Sequence, residues 1–205
     1  MSTAPAFPSN PAPWAEVVPG MGPVTVDLLL ELPDDGYIYE VVEGVLVRVA
    51  GSGFDATTIA VELASELRNY ARPRRLGRVT GADGVYRFPG AETGLLPDVG
   101  FVGVDKVALI TDRSKLLPFA PDLAVEVASP SQGPNEMAAK ARTYLVGGTR
   151  LVWVVWPTSG HIDVWHPDHV AGPARTLNMS EMLDGEDVIP GFAYPVASVF
   201  ADPLA

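Results

Sequence analysis

The stretch Leu95-Leu-Pro-Asp98-Val-Gly-Phe-Val102, followed by Pro121-Asp-Leu-Ala-Val-Glu126-Val-Ala-Ser-Pro-Ser131 and Asn135-Glu-Met-Ala-Ala-Lys140-Ala-Arg-Thr-Tyr144, decides the reading of this chain. The first segment reads as a strand opened by a proline. The second is an apolar strand whose one interior charge is Glu126, and the third reads as a helix. A carboxylate inside an apolar β run is costly to bury unless it is paired or holds a metal. Two such carboxylates on consecutive strands, Asp98 and Glu126, can converge on one cation, with Lys140 serving the same centre. That is the minimal apparatus for metal-assisted cleavage of a phosphodiester.

Working outward, residues 1–23 carry six prolines among small residues, so most of this segment is expected to be an extended or mobile arm. Residues 24–205 then form a single domain. Thr25 is placed to cap a short helix, Val26 to Leu32, ended by Pro33. Tyr37 to Val42 and Val45 to Val49 flank Glu43-Gly44, a hairpin signal. From Asp55 to Arg72 the positions Ile59, Leu63, Leu67 and Tyr70 form one helical stripe. Strands follow at Gly77 to Thr80, Val85 to Phe88, Asp98 to Val102 and Leu123 to Val127, then a helix from about Asn135 to Val146. Leu151 to Val155 is almost wholly apolar, as a buried central strand is. It makes a hairpin with Ile162 to Trp165. Little regular structure is expected in the tail, which ends Ile189-Pro-Gly-Phe-Ala-Tyr-Pro-Val196. The order gives an α/β domain with a mixed β-sheet flanked by helices.

The chain is 47% apolar and 19% charged, which fits a globular protein and not a disordered one. No apolar run reaches the roughly 18 residues a bilayer requires, so no membrane association is expected. Zero cysteines exclude disulfides and thiolate metal sites and suit a cytoplasmic location. A net charge of −11 repels nucleic acid at long range. Yet Arg68, Arg72, Arg74, Arg75 and Arg78 place five of the 14 basic residues in one short segment. They are candidates for nucleic-acid phosphate contacts, or else complement a helix C-terminus.

Together these segments resemble the restriction endonuclease-like family within the PD-(D/E)XK nuclease superfamily. The resemblance spans roughly residues 25 to 200. It rests on Tyr39-Glu40-Val-Val-Glu43-Gly44-Val-Leu-Val47, Pro97-Asp98-Val-Gly-Phe-Val102 and Pro121 to Ser131. Lys140 with Tyr144, and Ile189-Pro-Gly-Phe192, complete it. It implies a PD-(D/E)XK core hydrolysing DNA with Mg²⁺ or Mn²⁺. Asp98 and Glu126 are then the metal ligands, Glu40 a further acid, and Lys140 the positive helper. The superfamily usually sets its lysine two residues after the glutamate; here that position is Ala128, and the lysine is transplanted to the following helix. Three further departures are the absence of a histidine after Ala50, Trp156 before Pro157 where an acid is usual, and Glu43-Gly44-Val45 in the hairpin.

Alternatives accompany each of these readings. Lys140 also has Glu136 one turn away, a spacing at which a surface pair would be its whole role. All three histidines fall in His161-Ile-Asp-Val-Trp-His166-Pro-Asp-His169, a conceivable transition-metal site or a solvated hairpin end. A homodimer is expected, because cutting two strands favours two sites. The competing reading of the whole chain is a catalytically inactive DNA- or protein-binding module on the same fold. A third is an enzyme acting on RNA or nucleotides.

Overall fold

Gly44 shows how the local sequence starts the architecture. Glu43 and Gly44 both take positive φ, 51° and 77°, the twist that a two-residue hairpin needs to match right-handed strands. In the computed structural model, which describes residues 10–202, this turn joins two strands of a five-stranded sheet. In chain order the elements are β1 (Glu16–Val17), a 3-10 turn (Val26–Leu30), β2 (Ile38–Val42), β3 (Val45–Val49), α1 (Phe54–Arg74) and β4 (Gly77–Thr80). Next come β5 (Tyr86–Arg87), β6 (Gly94–Leu95), β7 (Val99–Gly103), α2 (Val104–Val107), β8 (Leu123–Val127) and α3 (Pro134–Val146). The chain closes with β9 (Leu151–Trp156), β10 (His161–Trp165), β11 (Arg175–Leu177), β12 (Met182–Asp184), β13 (Ala193–Pro195) and α4 (Val196–Val199).

The central sheet has six strands in the order β11-β10-β9-β8-β7-β4. Its pairs are antiparallel except β8 with β9, where α3 supplies the crossover that a parallel pair requires. Alternation along β8 divides its side chains between two cores. Leu123, Val125 and Val127 pack against Ile59, Leu63 and Leu67 of α1. Ala124 faces the other way, toward Met137, Ala141 and Tyr144 of α3 and the second sheet. That sheet, β1-β3-β2-β6-β5, covers this face beside α3. A period of two therefore sends Glu126 to the α3 side along with Ala124.

The tail contains more regular structure than its sequence suggests: β12 and β13 pair, and α4 follows. Phe192 explains the docking. Its ring stacks at 6.1 Å on Trp153 and meets Tyr70 edge-on at 5.5 Å, while the Tyr70 hydroxyl donates to the Pro190 carbonyl at 3.0 Å. These partners are 39 to 122 residues away in sequence, so no local pattern announces them.

At the other end, residues 1–9 of the expected arm lie outside the described residues. The stretch from Asn10 onward does not trail away. The Asn10 side chain accepts from the Ala12 N–H and donates to the Ala15 carbonyl. β1 pairs with β3 through Glu16↔Arg48 and Val17↔Val47, and Trp14 is only 6% exposed. The burial of one large aromatic offsets the entropy of ordering a segment otherwise composed of prolines and small residues. Two boundaries also differ. Thr25 contributes its carbonyl to Leu28, with no side-chain cap, and the segment is a five-residue 3-10 turn ending at Leu30. Helix α1 runs through Pro73 and closes on Arg75 in the left-handed conformation, φ 56°, with the Leu76 N–H reaching back to the Ala71 carbonyl.

Candidate active site

Glu126 is the least expected residue in β8 on hydropathy grounds, and its side chain is 5% exposed. Its oxygens are both engaged. Lys140 Nζ donates to Oε2 at 2.9 Å and the Tyr144 hydroxyl donates to Oε1 at 2.6 Å. Residues 140 and 144 are one helical turn apart, so both side chains leave the same face of α3. That face is directed at β8 because Met137, Ala141 and Leu145 bury alongside it.

Lys140 has a second partner. Glu40 Oε1 lies 3.2 Å from Nζ, and Glu40 is fully buried. Glu40 reaches this point because it shares the inward face of β2 with Val42. Its carboxylate also accepts the Leu96 N–H at 3.1 Å and the Trp14 indole N–H at 2.9 Å. Asp98, just before β7, accepts the Val127 N–H on Oδ2 at 2.7 Å, which ties the start of β7 to the end of β8. The structure therefore brings together the four residues expected at one centre: Glu40, Asp98, Glu126 and Lys140.

Their electrostatics follow from burial. Removing Glu126 from water pushes its carboxyl up to about 8, with Lys140 opposing and Asp98 and Glu40 reinforcing the rise. Burial also raises Asp98, against the pull of the Val127 N–H and Lys140. Burial alone would lower Lys140, but Glu126, Glu40 and Asp98 outweigh it, so the ammonium holds its proton more tightly than a free lysine. Burial and the neighbouring Glu126 keep the Tyr144 phenol protonated. Three carboxylates facing one ammonium leave a formal excess of negative charge in a largely dry site.

The surface-pair reading of Lys140 is overturned. Glu136 instead accepts the Gly133 N–H at 2.8 Å, closing the start of its own helix α3. Two participants escaped sequence reasoning as site residues, Trp14 and Tyr144. Tyr144 had a usable signal, its helical spacing from Lys140. Trp14 offered only its size, since its link to Glu40 spans 26 residues.

The arginines are elsewhere. Gly77 pairs with Gly103 and Arg78 with Val102, so the segment carrying Arg72, Arg75 and Arg78 lies at the end of β7 away from Asp98. Arg74 is turned onto the Tyr70 ring, 3.9 Å from its centroid, and donates to the Tyr70 carbonyl. The histidines find local roles. His161 contacts Ser159 and stacks on Trp156, and His166 lies 2.8 Å from Glu186. Among the described residues no group of three or more His, Cys, Asp or Glu is arranged to hold a metal ion. No helix among the described residues is long and apolar enough to cross a membrane.

A divalent ion fits the carboxylate centre on two counts. Its donors are hard carboxylate oxygens, and Mg²⁺ is commonly held by only one or two protein carboxylates while keeping several waters. The formal excess of acidic groups over the one ammonium is also of the sign that such an ion would offset.

Residues 26–197 match the Uma2 family model, described as "Putative restriction endonuclease". The structure superposes on a crystal structure of a "putative nuclease belonging to DUF820" from Anabaena variabilis ATCC 29413, with a TM-score of 0.71 and 18% identity. The match covers 87% of this chain and 98% of the other. No curated protein sequence matches. The mixed sheet between α1 and α3 is thus a restriction endonuclease-like core.

Proposed function

Because this chain belongs to the Uma2 family of restriction endonuclease-like proteins, we propose that it is a metal-dependent endonuclease hydrolysing phosphodiester bonds in DNA. Asp98 and Glu126 would hold Mg²⁺ or Mn²⁺. Bound there, the ion supplies Lewis acidity toward a phosphate oxygen and lowers the pKa of a coordinated water. The observation that carries the reading is the buried ammonium of Lys140, delivered by α3 between Glu126 and Glu40.

The protein's own groups divide the work. Lys140 stays charged and serves as an electrostatic stabiliser of the phosphate, not as a base. Glu40 holds Lys140 in place from the second sheet. Tyr144 fixes one oxygen of Glu126, and the Val127 N–H fixes one oxygen of Asp98, so both carboxylates are oriented before any ligand arrives. Action on both strands of a duplex is proposed to involve a homodimer.

The test is cleavage of supercoiled plasmid by the wild type and Asp98→Asn, each with Mn²⁺ and with chelator. Nicking by the wild type with Mn²⁺ alone, reduced by about 10²-fold or more in the variant, is the expected result. Absence of metal-dependent cleavage across DNA and RNA substrates would refute the proposal. A second reading, a catalytically inactive binding module, draws support from Glu126, whose two oxygens are already taken by Lys140 and Tyr144. Nucleic-acid or protein binding without turnover would establish it.

A further inference from the structure

The chain has 14 basic side chains against 25 acidic ones, and six of the cations pair with acids, Lys140 at the carboxylate centre among them. Arg48 pairs with Glu16, Arg87 with Asp27, Lys106 with Asp122, Arg150 with Asp187, and Arg175 with Asp184 and Glu186. Arg72, Arg75 and Arg78 belong to the remainder: among the described residues none has an acidic partner. All three are exposed, and together they line a concavity of about 370 Å³ with Gly77, Val104 and Val107. A neighbouring hollow of about 200 Å³ shares Arg72 and Arg78 and adds Arg68. Neither wall contains an acid or an aromatic ring. Asp105 of α2, next to the lining residue Val104, makes no ion pair with them.

Such a lining attracts an anion and offers nothing to stack on or read a base. Three guanidinium groups without carboxylates match phosphate, whose oxygens they can bind in forked pairs. The register then relates the hollow to the carboxylate centre. Arg78 lies opposite Val102 on β7, and alternation puts Val102, Gly100 and Asp98 on one face of the sheet. Arg78 therefore shares the face of Asp98 and Glu126, displaced along β7. Five residues of strand separate Asp98 from Gly103, which at about 3.3 Å each is roughly 16 Å. A duplex rises about 3.4 Å per base pair, so this span is about five base pairs.

We propose that the Arg72–Arg75–Arg78 hollow is a second, sequence-independent phosphate site that grips the nucleic-acid backbone about five base pairs from the bond cleaved at the carboxylate centre. The proposal rests on the nuclease reading for its second site, and it explains how a protein of net charge −11 can hold a polyanion. It also accounts for the glycine at position 77. A Cβ there would meet the Val102 carbonyl oxygen at 2.1 Å and the Phe101 ring at 2.6 Å, so only glycine lets β4 approach β7 closely enough to close the floor of the hollow.

The test uses the full chain in chelator, where no turnover occurs. Binding of a fluorescent duplex of roughly 20 base pairs is followed by anisotropy against salt for the wild type and the triple variant Arg72→Gln/Arg75→Gln/Arg78→Gln. Loss of three contacts should flatten the plot of log K against log salt by about 2 to 3 units. An unchanged slope, or no duplex binding by the wild type at low salt, overturns the proposal. So does saturable binding of inorganic phosphate that the variant loses while its DNA slope stays intact, since the hollow would then serve free phosphate. Because binding is read without cleavage, a flattened slope in a protein with no nuclease activity supports the hollow while refuting the nuclease reading. Cleavage with an unchanged slope does the reverse.

Discussion

Replacing Lys140 by methionine, which keeps the length of the side chain and removes its charge, would test the centre most directly. Lys140 is 4% exposed and is the counter-charge of both Glu40, 0% exposed, and Glu126, 5% exposed. Burial pushes Glu126 up to about 8 against the pull of Lys140, so the ammonium is what offsets the cost of this buried cluster. Breaking a buried pair by removing one partner costs about 3–5 kcal/mol. Lys140→Met should therefore lose about 3–5 kcal/mol at pH 7, a fall in Tm of roughly 6 to 20 °C for a chain of this size. Urea denaturation measures this. Glu136→Ala is the control, with a loss of about 1 kcal/mol from the start of α3. A loss below about 1 kcal/mol for Lys140→Met would refute the assignment of Lys140 as a buried counter-charge.

Two further outcomes are expected. A metal ion at Asp98 and Glu126 competes with the proton on Glu126. Apparent Mg²⁺ affinity should therefore climb by up to about tenfold per pH unit below about 8 and flatten above it. Calorimetric titration between pH 6 and 9 checks this, and a flat profile excludes Glu126 as a ligand. Trp14→Phe removes the indole N–H from a fully buried carboxylate and should cost about 1.5–3 kcal/mol in urea denaturation. A loss under roughly 0.5 kcal/mol would mean that the N-terminal segment does not support Glu40.

Much of this protein was legible in the chain because its signals are local. The period of two in β8, the apolar run of β9 and the stripe of Ile59, Leu63 and Leu67 on α1 follow from backbone geometry and hydrophobicity within a few residues. So does the oddity of a carboxylate at Glu126, which burial makes costly wherever the strand lies. Tertiary structure decided who neutralises it. Lys140 had Glu136 at ideal helical spacing, yet that acid caps its own helix while Lys140 turns inward to Glu126 and to Glu40, 100 residues away. What the Trp14 indole N–H meets was decided by β2, which presents Glu40 within its reach. The tail gained its strands through Phe192 against Trp153 and Tyr70. In each case a buried polar or aromatic group takes the partner that the packed sheets bring close. Sequence spacing determines which face a side chain leaves, whereas packing determines what it meets there.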